Sequence, residues 1–273
     1  MILSQCLNVV PPGFTGDLTQ IGPRDAWWAA RGVGKREMLA GDKDRVAWNI
    51  PCKIDGTEAK APFVFDNWAG SLLKNIGSKK DNGLGFVCDI EPEDDLPDVV
   101  LRVAAAIGAV NYATLSRLGG SGAALRPAVA YDCPTCYRSA GYWIDNAIMR
   151  ARNDQLAPLF AAVEAFNLKM YPWLGSDGTP EPARWQRDRL VAMVAECQRI
   201  DPTKPIDVMM STTYLANDSA PTNRQVDEGV ATATLQAARD AGVRVFMLYG
   251  GNGEQLNGTE GWYVATQKWL GRN

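Results

Sequence analysis

Residues 165–213 have the sequence AFNLKMYPWLGSDGTPEPARWQRDRLVAMVAECQRIDPTKPIDVMMSTT and contain a complete strand–helix–strand pattern. Apolar and polar side chains alternate along Ala165–Tyr171, which predicts a strand with two different faces. An amphipathic stretch with proline in its first turn predicts a helix over Pro182–Arg199. The apolar run Ile206–Thr213 predicts the next strand. Strands that alternate with helices in this way favour a parallel sheet covered by helices.

The same alternation continues on both sides of this segment. Further strands are predicted at Ile2–Val10, Arg45–Ile50, Leu84–Glu91, Arg126–Asp132 and Val243–Tyr249. Further helices are predicted at Asp66–Ile76, Leu96–Leu118, Tyr142–Arg152 with Gln155–Glu164, Thr222–Ala241 and Glu260–Leu270. Thr222 is the expected N-cap of its helix. An additional strand is expected either in GKREMLA, residues 34–40, or in APFVFD, residues 61–66.

Seven or eight strand–helix units in 273 residues predict one domain spanning residues 1–273. The expected fold class is α/β, in the form of a single (β/α)8 TIM-like barrel in which seven strands are clearly indicated. A doubly wound sheet is the alternative fold. The segment NVVPPGFTG after the first strand argues against it, because it contains neither GxGxxG nor GxxxxGK[ST].

Composition narrows the classes of partner and location that are expected for this protein. Hydrophobic content of 46%, charged content of 22% and a net charge of −3 are typical of a soluble globular protein and disfavour a nucleic-acid partner. No apolar stretch approaches the roughly 20 residues that cross a bilayer, so no membrane association is expected. The N-terminus MILSQCLNVVPPG lacks the features of a secretion signal. The expected location is the cytoplasm, or release by another route such as a phage particle or lysis.

The chain contains no histidine. This excludes Ser-His-Asp triads, Cys-His pairs and His-ligated zinc. Neither a metal nor an organic cofactor is expected.

Two acids close one predicted strand, in LGFVCDIEPEDD at residues 84–95. Residues two apart share a face of a strand, so Asp89 and Glu91 would project together into a barrel at its carboxyl end, where barrel enzymes keep their chemistry. Neighbouring acids raise the pKa of at least one of them, which suits a general acid. The alternative is that both begin a solvated acidic loop, since residues 93–95 are also acidic.

Other polar and aromatic side chains fall at the ends of neighbouring predicted strands. Asn167, Lys169 and Tyr171 share the polar face of their strand, and a lysine there needs an anion such as Asp89 or Glu91 nearby. The remaining residues expected in this polar, aromatic-walled cup are Tyr131, Asp132, Trp173, Tyr214 and Tyr249.

These segments resemble the glycosidase barrels of the chitinase and hyaluronidase kind. The resemblance lies in Asp-x-Glu at the end of a strand, a tyrosine-bearing strand end, and a last strand that closes on an aromatic residue. YDCPTCY at residues 131–137 is similar to the PDCY segment of hyaluronidases, and MYPWL at residues 170–174 is similar to their LYPS segment, in the same order. AWNIP at residues 47–51 is similar to their WNVP segment.

The resemblance implies cleavage of a glycan that contains N-acetylhexosamine. It implies that Glu91 donates a proton to the glycosidic oxygen and that Asp89 assists the acetamido group, whose carbonyl oxygen is the internal nucleophile. Tyr171 and Tyr131 would hydrogen-bond that group, and Tyr249 would stack under the sugar ring. Acids on one strand approach the sugar from one side, unlike the opposed pair of ordinary retaining or inverting enzymes.

Two other functions stay open. A barrel can lose its chemistry and serve as a carbohydrate-binding or assembly module, in which Trp27, Trp28 and Trp173 would be exposed binding residues. A thiol-redox protein would use Cys133 and Cys136, which form a CxxC pair at the end of a predicted strand. The same pair is half of a zinc site, but the chain has no second CxxC and no histidine to complete it.

Overall fold

The computed structural model describes residues 1–16, 21–35, 38–39, 87–89, 128–130, 150, 153–154, 157–162, 165–175, 177–216, 221–251 and 253–272. Within these residues the chain is an α/β protein with a mainly parallel sheet and flanking helices. The predicted α/β class is therefore confirmed.

The main sheet has eight strands, and all of its neighbouring pairs are parallel. The strands are β1 Ile2–Leu7, β2 Gly34–Lys35, β3 Met38–Leu39, β4 Val87–Asp89, β5 Ala128–Ala130, β6 Phe166–Lys169, β7 Ile206–Ser211 and β10 Val245–Gly250. Their order is β2-β1-β10-β7-β6-β5-β4-β3. The two edge strands, β2 and β3, are thus neighbours in the sequence, with only residues 36 and 37 between them. A separate antiparallel hairpin is formed by β8 Thr213–Leu215 and β9 Pro221–Gln225.

The described chain contains five helices, four between strands and one after the last strand. They are α1 Ile21–Ala29, α2 Ala157–Ala162, α3 Ala183–Ile200, α4 Glu228–Asp240 and α5 Gly261–Trp269. Helix α3 buries Leu190, Met193, Val194 and Cys197, which recur at the spacing of one helix face. None of the described helices is long and apolar enough to cross a membrane.

The strands bury two chemically different faces. Phe166, Leu168 and Met170 of the β6 segment belong to a large apolar cluster that also includes buried residues of α3, α4 and α5. The next residue, Tyr171, belongs to a second, smaller cluster with Met209 of β7 and Met247 of β10. Strand alternation therefore gives the sheet one helix-packed face and one separate face.

The two ends of the chain meet in the sheet and in the helix layer. Strand β1 pairs with β10 along its whole length. Trp28 of α1 packs against Trp262 of α5 with ring centroids 6.3 Å apart. Trp28 is 1% exposed, so the expectation that it is an exposed sugar-binding residue is wrong. A Cβ at Gly261 would clash with the backbone nitrogen of Glu228, which is why glycine allows α5 to begin so close to α4.

Most strand and helix predictions are confirmed where the structure describes the chain. The predicted strands at Ile2–Val10, Ala165–Tyr171, Ile206–Thr213 and Val243–Tyr249 contain β1, β6, β7 and β10, and those at Leu84–Glu91 and Arg126–Asp132 contain the short β4 and β5. The additional strand in GKREMLA is present as β2 and β3. The helices predicted at Gln155–Glu164, Pro182–Arg199 and Glu260–Leu270 correspond to α2, α3 and α5. The segments Arg45–Ile50, 61–66, Asp66–Ile76 and Leu96–Leu118, and Tyr142–Arg152 except residue 150, lie outside the described residues.

One helix boundary was predicted wrongly. The helix expected at Thr222–Ala241 begins only at Glu228, with Asp227 as its N-cap residue. Residues 221–225 form β9 instead, and the Thr222 hydroxyl donates to the carbonyl of Tyr214 across the hairpin at 2.7 Å. Thr222, the expected cap, therefore belongs to strand β9, which pairs with β8. Helix α1 was not predicted.

Candidate functional site

Six side chains from three adjacent strand segments define what we call the site face, the sheet face opposite the helix-packed cluster. They are Asn167, Lys169, Tyr171, Met209, Met247 and Tyr249. The strand register pairs Lys169 with Met209 and Met209 with Met247, so these three lie in one row across the sheet. Tyr171 and Tyr249 lie nearer the carboxyl ends of the strands, where parallel α/β sheets bind ligands.

The two tyrosines stack on each other. The rings of Tyr171 and Tyr249 are nearly parallel, at 7°, with centroids 6.0 Å apart. They come from β10 and from the residues after β6, and β7 lies between these two strands. Below them, the Tyr171 hydroxyl donates to the sulfur of Met209 at 3.8 Å. The arrangement places two aromatic rings with hydroxyl groups at the carboxyl end of the sheet, with Tyr171 buried and Tyr249 partly exposed.

Lys169 brings a positive charge to the same place. Its side-chain nitrogen lies 4.9 Å from the centroid of the Tyr171 ring, and the residue is only 6% exposed. A buried ammonium group strengthens its attraction to an aromatic ring, to about 2 kcal/mol when water is excluded. Lys169 therefore helps to fix the Tyr171 ring and brings a positive charge to the site face.

Asn167 is the least satisfied polar group of the site face. It is 1% exposed, and neither its amide nitrogen nor its amide oxygen has a hydrogen-bond partner in the described part of the chain. A buried polar group without a partner costs about 1–3 kcal/mol. Such a cost is typical of residues that are kept for function, and it is the opposite of what core packing alone would select.

The chain after β6 builds a wall beside the tyrosines. Backbone hydrogen bonds join Leu174 to the carbonyl of Leu215 at 2.8 Å and Leu215 to the carbonyl of Pro172 at 2.9 Å. Trp173 lies between these contacts, half-buried, and packs against the cluster that contains Tyr171 and Tyr249. The hairpin supports the same wall, because Arg224 donates to the carbonyl of Gly178 at 3.2 Å.

A buried polar network lies behind this wall. Arg189 of α3 donates to the backbone carbonyl of Tyr171 at 2.9 Å and pairs with Glu181 at 3.3 Å. Glu181 also accepts from the backbone nitrogen of Trp173 at 3.1 Å and from the side chain of Gln186. Burial raises the pKa of Glu181, while the Arg189 charge and the hydrogen bonds from Trp173 and Gln186 act in the opposite direction.

The structure brings some of the predicted site residues together and separates one. Asn167, Lys169, Tyr171, Tyr249 and the neighbouring Trp173 form one group. Tyr214 does not join them, because it is fully buried in the helix-packed cluster and its hydroxyl donates to Asp227 at 2.9 Å. Burial also raises the pKa of Tyr214, so it stays protonated.

Other predicted site residues are described only in part or not at all. Asp89 is the last residue of β4, and its backbone is in register with Ala130. Glu91, Tyr131, Asp132 and the cysteines Cys133 and Cys136 lie outside the described residues.

Several residues at the site were not found from the sequence. Met209 and Met247 occupy alternate positions in predicted strands, so their place on the site face was available from the two-residue period. The network of Glu181, Gln186 and Arg189 gives no such signal, because it joins a loop to a helix through contacts that no periodicity specifies.

No protein-family model matches the sequence, and no curated protein matches it either. Solved structures do match. The monoclinic crystal structure of bee venom hyaluronidase is similar with a TM-score of 0.54 and 13% sequence identity, over 99% of this chain and 97% of that chain. The endo-1,4-beta-D-mannanase of Thermotoga petrophila RKU-1, solved with maltose and glycerol, has a TM-score of 0.51 and 11% identity, over 99% of this chain and 91% of that chain.

A further structure of bee venom hyaluronidase, in complex with a hyaluronic acid tetramer, matches with a TM-score of 0.49 and 13% identity over 76% of this chain and 74% of that chain. These neighbours are glycoside hydrolases with TIM-barrel folds. At such low identity, the similarity to the monoclinic hyaluronidase structure and to the mannanase establishes a shared fold alone. It agrees with the fold that the motif resemblance implies.

Proposed function

We propose that this protein is a glycoside hydrolase that cleaves an N-acetylhexosamine-containing glycan. The observation that carries the proposal is the stacked pair of Tyr171 and Tyr249 beside the buried Lys169, at the carboxyl ends of adjacent parallel strands. Aromatic rings with hydroxyl groups bind the apolar faces and the polar edges of sugars. This is the aromatic and cationic part of the cup that the sequence predicts.

We further infer that the sheet closes into a barrel within one domain. The edge strand β2 ends at Lys35, and the opposite edge strand β3 begins at Met38, three residues later in the chain. A trans peptide step spans 3.80 Å, so these residues lie within about 11 Å of each other. Because the two edges of the sheet are held this close, we infer that β2 and β3 are two parts of one interrupted strand. Counting them as one strand turns the eight-stranded sheet into a closed ring of seven strands. In such a ring the site face is the interior.

The strand register favours placing the acids at the same interior. Val129 pairs with Phe166, so the next residues, Ala130 and Asn167, are neighbours across β5 and β6. Asp89 is in register with Ala130 on its other side. Register partners in parallel strands share a face of the sheet. The proposal therefore gives Asp89 to the site face, two strands from Asn167, and gives Glu91 to the same side because it follows two residues later in the sequence.

The proposed mechanism needs only side chains of this chain and the substrate's own acetamido group. Glu91 donates its proton to the glycosidic oxygen while the bond from that oxygen to C1 breaks. The acetamido carbonyl oxygen bonds to C1, and Asp89 stabilises the resulting cation. Glu91, now a carboxylate, takes a proton from the water that attacks C1. The bond between C1 and the acetamido oxygen breaks in the same step, which restores the acetamido group and leaves a hydroxyl group on C1. Tyr171 and Tyr131 hydrogen-bond the acetamido group, and no metal or organic cofactor takes part.

The motifs and the named neighbours support the proposed substrate class. YDCPTCY and MYPWL resemble hyaluronidase segments, and bee venom hyaluronidase shares the fold. Hyaluronan is therefore the first polymer to examine, together with chitin and peptidoglycan, which also contain N-acetylhexosamine.

The experiment is a reducing-sugar assay on hyaluronan, chitin and peptidoglycan with wild type, Glu91→Gln and Glu93→Gln. Wild type and Glu93→Gln are expected to release reducing ends from one polymer at similar rates. Glu91→Gln should be about 10²–10⁴-fold slower, because it cannot donate the proton. Equal rates for wild type and Glu91→Gln would contradict the assignment of the proton donor.

A non-catalytic carbohydrate-binding barrel is the second candidate. It is favoured by the fact that the stacked tyrosines and Trp173 would bind a sugar without any carboxylate. This function predicts no reducing ends from wild type, unchanged glycan binding in Glu91→Gln, and loss of binding in Trp173→Ala or Tyr249→Ala. Pull-down on insoluble chitin and titration with hyaluronan oligosaccharides separate the two functions.

A further inference from the structure

We propose that Glu181 and Arg189 are positioning residues that hold Tyr171 and Trp173 in their sugar-binding geometry from behind the sheet. The proposal rests on the glycan-binding role given above to the site face. Neither residue is on the site face: Arg189 belongs to helix α3, and Glu181 precedes that helix in the loop after β6. They are 7% and 5% exposed, so they act through the backbone of the residues they hold.

The contacts of the pair converge on two backbone positions. Arg189 donates to the carbonyl of Tyr171 at 2.9 Å. Glu181 is joined to Trp173 twice, since its carboxylate accepts from the Trp173 nitrogen at 3.1 Å and its own nitrogen donates to the Trp173 carbonyl at 3.0 Å. The ion pair between Arg189 and Glu181 links the two sites at 3.3 Å. Together they tie the residues on both sides of Pro172 to helix α3.

Stability alone does not account for this pair. Replacing a buried ion pair by apolar residues of similar volume is often neutral or stabilising, because the charges lose their hydration. Here the charges are not even fully satisfied. The second carboxylate oxygen of Glu181 and the Nε of Arg189 are buried and have no hydrogen-bond partner among the described residues. The pair instead fixes the orientation of two backbone groups, the carbonyl of Tyr171 and the nitrogen of Trp173.

That direction matters for the aromatic residues. A side chain on a tethered backbone keeps its ring where a ligand needs it, and displacements of about 1 Å in positioned groups can cost two orders of magnitude in rate. The Tyr171 ring is held from three sides, by Tyr249, by Lys169 and, through its own carbonyl, by Arg189. The last of these is the only one of the three that comes from the helix layer.

The same helix supplies a matched control. Glu196 of α3 is 3% exposed and forms an ion pair with Arg199 at 2.8 Å. Its carboxylate accepts from the side chain of Asn153 at 2.9 Å, much as Glu181 accepts from Gln186. Among the described residues, the contacts of this second pair are to Asn153, Asp154 and Arg150, and none of these belongs to the site face. The side chain of Arg199 is 34% exposed and that of Arg189 is 7% exposed. The two pairs are therefore matched in residue types and helix, but the arginines differ in burial.

The experiment compares two double variants with wild type. One is Glu181→Met with Arg189→Met, and the control is Glu196→Met with Arg199→Met. Each leaves one buried amide, Gln186 or Asn153, without its carboxylate partner. The readouts are near-ultraviolet circular dichroism, with Tyr171→Leu as the reference for a disrupted tyrosine stack, and affinity for hexasaccharides of hyaluronan and chitin.

The first double variant is expected to lose at least tenfold in affinity and to move its aromatic dichroism toward that of Tyr171→Leu. The control should stay within twofold of wild type in affinity and keep the wild-type spectrum. If the first double variant keeps both wild-type values, the positioning role is overturned. If wild type binds neither hexasaccharide, the proposed function fails, and the dichroism of the first double variant alone decides the positioning role.

A conservative variant keeps the test decisive if the first double variant does not fold. Arg189→Lys retains the charge, but Nη2 of Arg189 makes all three contacts, to Tyr171, Gln186 and Glu181, and the shorter lysine side chain ends one atom before that position. It is expected to lose at least threefold in affinity and to show a partial change in aromatic dichroism. Wild-type values for both readouts in Arg189→Lys would also overturn the proposal.

Discussion

The two faces of strand β6 are equally buried and chemically opposite. On the helix-packed side, Phe166, Leu168 and Met170 are at most 1% exposed and lie in the large apolar cluster. On the site face, Asn167 and Lys169 are 1% and 6% exposed, and the amide of Asn167 has no partner among the described residues. Burial is the same on both sides, but only the helix-packed side gains stability from it.

The difference separates what folds this protein from what the protein does. Burying apolar area stabilises the fold by about 25 cal/mol per Å², whereas burying an unpaired amide or a charge costs free energy. Natural proteins tolerate such costs mainly where a site requires them. Removing apolar volume at Leu168 should therefore lower the free energy of unfolding, and removing the unpaired amide at Asn167 should raise it.

The largest effect is expected on the helix-packed face. Leu168→Ala should lower the free energy of unfolding by about 2–5 kcal/mol, because it leaves a cavity among side chains that are fully buried. Urea denaturation measures the change. Leu168→Met is the control and should cost less than about 1.5 kcal/mol, since it keeps the volume. A loss below 1 kcal/mol in Leu168→Ala would show that this face is not the core.

On the site face the sign should reverse. Asn167→Val removes a buried amide whose two polar atoms are unpartnered among the described residues, so it should raise the free energy of unfolding by about 1–3 kcal/mol. The same urea experiment measures it. Asn167→Asp is the control, and it should destabilise the fold because it buries a charge. Destabilisation by Asn167→Val would mean that the amide is satisfied and contributes to the fold.

The smallest effect concerns the tyrosine pair. Tyr171→Leu, Tyr249→Leu and the double variant form a mutant cycle, and the stacked rings should give a coupling free energy of about 0.5–1.5 kcal/mol in unfolding. A matched cycle on Phe160 and Phe166, whose rings are 5.3 Å apart in the helix-packed cluster, shows the size of an aromatic coupling that has no role in the site. Additive effects of the two tyrosine substitutions would contradict the stacked geometry.

The strand alternation was sufficient to predict both faces of β6. Phe166, Leu168 and Met170 on one side and Asn167, Lys169 and Tyr171 on the other follow directly from the two-residue period. The same period places Tyr214 on the side of Val208 and Met210, and all three lie in the helix-packed cluster. The expectation that Tyr214 belongs to the site took it as a strand end without applying the alternation, so it is wrong for a reason that the sequence already contained.

Contacts between distant segments account for the other differences. Thr222 and Asp227 are both good N-cap residues, and only the pairing of β9 with β8 decides that the helix begins after Asp227. The pair of Glu181 and Arg189 likewise depends on how the loop after β6 returns to α3. Propensity and periodicity describe local preferences, and these tertiary contacts override them.

The most direct test of the central claim is a crystal structure of Glu91→Gln with a bound hexasaccharide of the polymer that wild type cleaves. We expect the sugar to lie on the site face, stacked on Tyr249. Its acetamido group should be within hydrogen-bond distance of Tyr171, and residue 91 should lie next to the glycosidic oxygen. Residues 89 and 91 on an outer surface, remote from Lys169, Tyr171 and Tyr249, would contradict it.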